Sequence, residues 1–123
     1  MIPMRKILTE KQITPSAALA IKGYYPEVIE EIEKAIVANE WVIVGVAYNP
    51  FVVRARKFLT ENDIKFLYIE HGSYTSGWKP RLAIKMWSGW PTFPQIFHET
   101  KLVGGFQDLI KYQALKKNES LHL

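Results

Sequence analysis

Cysteine is absent from the 123-residue chain, and its absence removes one whole class of chemistry. A thiolate is the nucleophile in thiol–disulfide exchange and a common ligand in zinc and iron–sulfur sites. The chain therefore has no thiol with which to form disulfides, exchange them or bridge an iron–sulfur cluster. We predict that it carries out no thiol-based catalysis.

The histidines and carboxylates form no short catalytic or metal-binding pattern. His71, His98 and His122 are scattered, without an i, i+4 pair and without a carboxylate motif near them in the sequence. Zinc sites usually show such short ligand spacings. No Ser–His–Asp set, glycine-rich phosphate loop or carboxylate pair stands out either. We therefore predict no metal site and no catalytic residue.

A basic and aromatic segment is the remaining candidate for ligand binding. Its members are Lys79, Arg81, Lys85, Lys101, Trp78, Trp87 and Trp90. Aromatic and basic side chains together can bind nucleic acid by stacking and charge. We expect instead that Trp87 and Trp90 belong to the core, with their N–H groups bonded locally, and that the cations are solvated. Nucleic acid is not a predicted partner.

Length and composition fit one domain with a sizeable core, since 48% of the residues are hydrophobic. No apolar run reaches the length of about 18 residues that a transmembrane helix needs. The N-terminus lacks the basic-then-apolar layout of a secretory signal, so we expect a cytoplasmic protein with no membrane partner. Residues 1–52 hold five basic and six acidic residues, whereas residues 53–123 hold eleven and six. The net charge of +4 is weak support for an anionic partner.

Caps and hydrophobic periodicity predict nine elements. Thr14-Pro15 and Asn49-Pro50 each pair an N-cap residue with proline at the first helical position. The predicted helices cover residues 15–22, 26–38, 50–61, 80–88 and 106–116. The predicted strands cover residues 41–47, 64–70, 95–98 and 101–103. In the helices at 50–61 and 80–88, the side chains expected to face the core are Val53, Phe58, Leu59, Leu82, Ala83, Met86 and Trp87.

This order of elements predicts an α/β fold with a four-stranded mixed sheet flanked by helices. The first two strands are joined through a helix and should be parallel, and the last two should form an antiparallel hairpin. We divide the chain into an N-terminal extension (residues 1–25), a main domain (26–117) and a C-terminal tail (118–123).

Three motifs in this order resemble the glutaredoxin family, which has a thioredoxin-like fold. Asn49-Pro50-Phe51-Val52 occupies the place of the family's Cys-Pro-Tyr-Cys or Cys-Gly-Phe-Ser. The stretch at 90–95, Trp-Pro-Thr-Phe-Pro-Gln, is similar to the monothiol class around its cis-proline, and Gly104-Gly105 precedes the last helix. The resemblance covers roughly residues 26–115.

The first motif departs from the family at both reactive positions. The resemblance places Asn49 at the nucleophilic cysteine and Val52 at the resolving cysteine. An amide is not a useful nucleophile, whereas Asn is among the best N-cap residues. We therefore predict that Asn49 caps the helix and performs no chemistry.

The resemblance also implies where a glutathione groove would lie. Phe93 would offer its backbone to the peptide and Pro94 would follow a cis peptide bond. Arg81 would hold the glycyl carboxylate, and Gly104-Gly105 would let the γ-glutamyl end approach the last helix. The candidate groove residues are Arg81, Thr92, Phe93, Pro94, Gly104, Gly105, Gln107 and Asp108.

Two charged contacts of the family would be missing from such a groove. The family's lysine falls on Val46, and its aspartate falls on Gln107, one residue before Asp108. A hydrogen bond to a charged group contributes about 1.5–3 kcal/mol, so we expect glutathione to bind weakly.

We interpret the chain as a non-catalytic glutaredoxin-like module whose partner is either glutathione or a protein. Two alternatives stay open. One is a glutathione-dependent enzyme in which Tyr48 or Asn49 activates the bound thiol, as Tyr or Ser does in glutathione transferases. The other is an oxidoreductase assigned by similarity to the family, which the missing cysteines oppose.

Overall fold

The computed structural model describes residues 6–73 and 75–121. The helices are α1 (Pro15–Lys22), α2 (Pro26–Ala38), α3 (Pro50–Glu61), α4 (Trp78–Ser88) and α5 (Phe106–Leu121), and a 3₁₀ turn covers Glu10–Gln12. The strands are β1 (Trp41–Gly45), β2 (Leu67–Glu70), β3 (Gln95–His98) and β4 (Lys101–Gly104).

The four strands form one mixed sheet in the order β2-β1-β3-β4. β1 runs parallel to β2 and antiparallel to β3, and β3 pairs antiparallel with β4. The predicted α/β fold and its strand directions are confirmed. Because α3 connects the two parallel strands, its first turn lies just past the carboxyl end of β1.

The core lies on both faces of the sheet, because every residue of β1 is buried. Alternate side chains of a strand point to opposite faces. Val42 and Val44 pack with Ile32 of α2 and Ile84 of α4 in the first core cluster. The second core cluster joins Trp41, Ile43, Ala55, Leu59, Ile96 and Leu109.

The prediction of a core-facing side chain was wrong at three positions. Val53 is 56% exposed, and Val52 and Ala55 are buried on α3 together with the correctly predicted Leu59. Positions 52, 55 and 59 follow the 3.6-residue helical period, which places Val53 about 100° away from that stripe. On α4, Leu82 and Met86 are likewise exposed, whereas Ala83 and Ile84 are buried.

The differences in element bounds concern the ends rather than the middles. α4 begins at Trp78 because Gly77 takes a left-handed conformation (φ 75°) and Pro80 fits within the first helical turn. β2 begins only at Leu67, and α5 continues to Leu121 instead of ending at 116. Residues 118–121 of the predicted tail are therefore helical, and residues 122 and 123 lie outside the described residues.

The N-terminal helix α1 buries none of its residues. Ile21, Lys22 and Tyr24 border a cleft of about 330 Å³ against α2 and α4. The division of the chain at residue 25 stays a prediction. Among the described residues, none of the helices is both long enough and apolar enough to span a bilayer.

Candidate functional site

Asn49 caps α3, as the sequence predicts. Its Oδ1 accepts hydrogen bonds from the backbone N–H of Phe51 (2.8 Å) and of Val52 (3.1 Å). Two of the four N–H groups that a helix leaves without a backbone partner are thus satisfied. The Asn49 side chain therefore stabilises the helix end.

The segment before β3 forms one wall of a groove. The Phe93–Pro94 peptide bond is cis, both residues are buried, and Thr92 is exposed. The fully buried Gln95 donates from Nε2 to the Trp90 carbonyl oxygen over 3.0 Å and so holds the turn in place. The Trp90 Nε1 atom is buried without a hydrogen-bond partner among the described residues, so the expected local bond of this indole was wrong.

The groove between this segment, α3, α4 and α5 has a volume of about 560 Å³. It brings together most of the candidate residues. Its lining consists of Val46, Asn49, Phe51, Arg81, Lys85, Trp90, Pro91, Thr92, Phe93, Pro94, Gly105, Phe106, Gln107 and Asp108. Two predicted positions do not line it: Val52 is buried in the first core cluster, and Gly104 ends β4.

Two cations of α4 face the groove, and they differ in what else they bind. Arg81 donates from Nη1 to the carbonyl oxygens of His71 (3.0 Å) and Ser76 (2.7 Å), and so ties the loop before α4 to the helix. Lys85 places its Nζ 5.7 Å from the centre of the Phe93 ring. Lys85 therefore lies against the groove wall at Phe93, whereas Arg81 also stabilises the loop before α4.

Asp108 occupies the start of α5. Its Oδ2 accepts a hydrogen bond from the Gly105 N–H over 3.0 Å. Gly104 has φ +122°, and a Cβ at this position would lie 2.8 Å from Asp108 Cγ. Gly104 thus provides the room in which Asp108 caps the helix, and Gly105 lines the groove.

Four lining residues were not predicted to belong to the groove. They are Phe51, Trp90, Pro91 and Phe106. Phe51, Trp90 and Pro91 lie within the quoted motifs and Phe106 follows the Gly104-Gly105 pair, so their place near the groove could have been inferred from those motifs. Tyr48, named in the enzyme alternative, is 88% exposed and is not among the described lining residues.

Two histidines lie close to carboxylates in the structure. His71 Nε2 is 3.2 Å from Glu31 Oε1. His98 Nε2 is 3.6 Å from Glu40 Oε1 and 3.8 Å from Glu99 Oε1. Strand pairing and helix packing bring most of these carboxylates to the histidines, so most of these pairs cannot be recognised from the spacing in the sequence. His122 lies outside the described residues.

Tyr68 on the edge strand β2 is a shifted ionisable group outside the groove. Burial raises the pKa of the Tyr68 phenol, and the hydrogen bond from its Oη to Glu70 Oε1 (2.8 Å) acts in the same direction. The Arg56 guanidinium lies 4.0 Å from the ring centre. Tyr68 packs against both core clusters, and none of these three residues is among the described residues that line the groove.

Comparisons with known proteins support one family. No family model matches the chain. A glutaredoxin-like protein of Dictyostelium discoideum is 47% identical over 107 residues, covering 87% of this chain and 85% of that protein. Monothiol glutaredoxin-S17 of Arabidopsis thaliana is 29% identical over 110 residues, which are 83% of this chain but 20% of that protein. The crystal structure of a buckwheat glutaredoxin–glutathione complex has a TM-score of 0.66 at 20% identity, covering 75% of this chain and 84% of that one, and supports the fold alone.

Proposed function

This chain belongs to the glutaredoxin family, and we propose that it binds a glutathione-like peptide in the groove beside Pro94 without carrying out thiol–disulfide exchange. The family membership rests on the identity to the Dictyostelium protein over most of both chains. The absence of cysteine separates this member from the chemistry of the family's reactive thiol.

The observation that carries the binding proposal is the distribution of charge around the groove. Arg81 and Lys85 line the groove from α4, and Asp108 lines it from the start of α5. A helix leaves its first N–H groups without backbone partners. Glutathione has a carboxylate at its glycyl end and both an amino group and a carboxylate at its γ-glutamyl end. The groove offers a partner of opposite charge to each of these groups.

The proposed pose follows from the placement of these groups in the groove lining. The glycyl carboxylate meets Lys85 and Arg81, the backbone of Phe93 pairs with the peptide, and the γ-glutamyl amino group meets Asp108. The γ-glutamyl carboxylate meets the helix N-terminus, where N–H groups and the helix dipole favour an anion. A groove of about 560 Å³ lies within the range of small-molecule sites.

The sulfur of the bound peptide would lie near the start of α3 and find no reactive partner. Asn49 Oδ1 faces the Phe51 and Val52 N–H groups, and Val46 and Phe51 supply apolar contact. We expect no turnover in a glutathione-coupled disulfide reduction assay with preparations freed of contaminating reductase. Turnover above that background, proportional to the concentration of this protein, would overturn the non-catalytic part of the proposal.

The binding part is tested by titrating the 15N-labelled protein with glutathione and recording amide shifts. We expect shifts confined to Phe93, Gly105, Gln107 and Lys85, with a dissociation constant of about a millimolar or more. Lys85→Ala should weaken binding further. The matched control is Lys79→Ala, which removes an exposed lysine that is not among the described lining residues.

The two variants make the outcome decisive. Equal weakening by both substitutions would indicate a general effect of charge rather than a contact in the groove. Absence of shifts at several times the expected dissociation constant would exclude glutathione as the ligand. No observation on Tyr48 favours the alternative of thiol activation, because that side chain projects into solvent.

A further inference from the structure

We propose that His98, Glu40 and Glu99 form a binding site for a single divalent transition-metal ion, with zinc as the best match. The site uses His98 Nε2 and one carboxylate oxygen from each glutamate. These three ligand atoms all lie within 4.8 Å of one another. The site stands at the amino end of β1, whereas the peptide groove stands past the carboxyl end of the same strand, so it does not depend on the proposed function.

Strand pairing brings the three residues together. Trp41 of β1 is the register partner of His98 of β3. Glu40 precedes that pair and Glu99 follows it, and the Glu99 N–H donates to the Glu40 carbonyl oxygen over 2.9 Å. The backbone positions of both carboxylates are therefore fixed by the two central strands, next to the imidazole.

The distances suit a shared ion better than a hydrogen bond. His98 Nε2 is 3.6 Å from Glu40 Oε1 and 3.8 Å from Glu99 Oε1. Both distances exceed the usual range of an N–H···O bond. Two ligands bound about 2.1 Å from a tetrahedral zinc ion lie about 3.4 Å apart. Small rotations of the two exposed carboxylates would close the difference.

The imidazole is the buried and oriented member of the set. The His98 side chain is 3% exposed, and its Nε2 makes no hydrogen bond within the described part of the chain, although it points at the two carboxylates. The Trp41 ring stacks on it with centroids 4.0 Å apart. A buried imidazole nitrogen directed at two carboxylates is an observation independent of the acidic pair itself.

The opposite edge of the ring has the partner that a metal-bound histidine requires. His98 Nδ1 lies 2.7 Å from Tyr112 Oη and 3.2 Å from Lys116 Nζ. With an ion on Nε2, the ring proton resides on Nδ1 and is donated to the Tyr112 oxygen. The Lys116 ammonium, which can only donate, must then turn away from Nδ1. Without the ion, Nδ1 accepts from Lys116 or Tyr112.

The donor set defines the class of ion. One imidazole nitrogen and two carboxylate oxygens suit zinc, and the lack of any thiolate argues against ions that prefer sulfur. Three protein ligands leave a fourth position for water. The two carboxylates balance the charge of a divalent ion.

The test is calorimetric titration of the full chain with Zn²⁺, supported by the visible absorption of Co²⁺ as a tetrahedral probe. We expect one ion per chain. Glu40→Gln and Glu99→Gln should each weaken Zn²⁺ binding by at least about 10-fold, since each removes one ligand from an exposed position without disturbing the core.

The chain supplies its own controls. Glu31→Gln removes the carboxylate beside His71, a pair with one histidine and one carboxylate, and should leave Zn²⁺ affinity within about twofold. The double variant His71→Gln/His122→Gln leaves His98 as the sole imidazole and should retain binding. Loss of binding in that double variant, or unchanged affinity in both Glu40→Gln and Glu99→Gln, would overturn the proposal.

Discussion

The Asn49 side chain contributes to stability through the backbone at the start of α3. Its Oδ1 accepts from two backbone N–H groups at the start of α3. Asn49→Ala removes both bonds and should lower the free energy of unfolding by about 0.5–2 kcal/mol, measured by urea denaturation.

The matched variant Asn49→Asp keeps an acceptor oxygen at the same place and adds a charge that the helix dipole favours. Its free energy of unfolding should therefore be at least as high as that of the original protein. Equal destabilisation by both variants would mean that Asn49 acts through contacts other than the cap.

Asn49→Cys tests whether the surroundings still favour a thiolate. The new thiol would stand at the N-terminus of α3, where the helix dipole favours the charged form. The thiol pKa should therefore fall below the usual value of about 8.5. The pH dependence of thiolate absorbance measures it, and a pKa at or above that value would show that the loss of chemistry extends beyond one residue.

At this scale the sequence was informative where a residue acts on its own backbone neighbours. The cap at Asn49 follows from residue type and spacing alone. The partners of Arg81 and His98 do not, because His71 O lies across a loop and Glu40 lies on another strand. Contacts of this kind depend on the pairing of distant elements.

At the scale of elements, the middles were predictable, and the ends were predictable only where the sequence marks them. α1, α2 and α3 have the predicted bounds because a Pro or an N-cap marks each start. α5 has no Gly or Pro to stop it and runs on to Leu121. Residues 64–66 have a strand-like composition but lie before β2, since only Leu67–Glu70 finds partners on β1.

The contact of β1 with α3 depends on a residue without a side chain. A Cβ on Gly45 would lie 2.7 Å from Val52 Cγ1 and 3.0 Å from Tyr68 Cε1. Gly45→Ala should therefore lower the free energy of unfolding by about 1–3 kcal/mol through overpacking. Urea denaturation measures the loss.

A second substitution identifies the cause. In a Val52→Ala background the clashing methyl groups are gone, so Gly45→Ala should cost at least about 0.5 kcal/mol less than it does alone. In an Ile32→Val background, where the altered residue does not supply any of the three atoms nearest to that Cβ, the cost of Gly45→Ala should be unchanged. The same cost in all three backgrounds would show that the strand, rather than the helix contact, resists the side chain.

At the scale of the whole molecule, the sheet separates the two proposed binding sites and the two core clusters. The peptide groove lies past the carboxyl end of β1 and the proposed metal site at its amino end. The first and second core clusters lie on opposite faces. The alternation of strands and helices in the sequence predicted the layers of the fold. The residues that meet at the two ends of the sheet could not be predicted in the same way, because strand order brings them together.

The separation of the two cores makes a prediction about additivity. Ile32→Val trims the first core cluster and Ile96→Val trims the second, and both residues are fully buried. Each should lower the free energy of unfolding by about 0.5–1.5 kcal/mol. Because the sheet stands between them, the double variant should equal the sum of the single variants within about 0.5 kcal/mol.

A second pair of substitutions, both within one core cluster, provides the comparison. Ile43 and Ile96 are register partners on neighbouring strands and both belong to the second core cluster. Their Ile→Val double variant should depart from additivity by more than about 0.5 kcal/mol, because the two residues share one packed region and relax together. Urea denaturation of all the variants under the same conditions gives both coupling energies. Coupling across the sheet as large as coupling within one face would mean that the two clusters form one cooperative core, in which changes at one face reach the other.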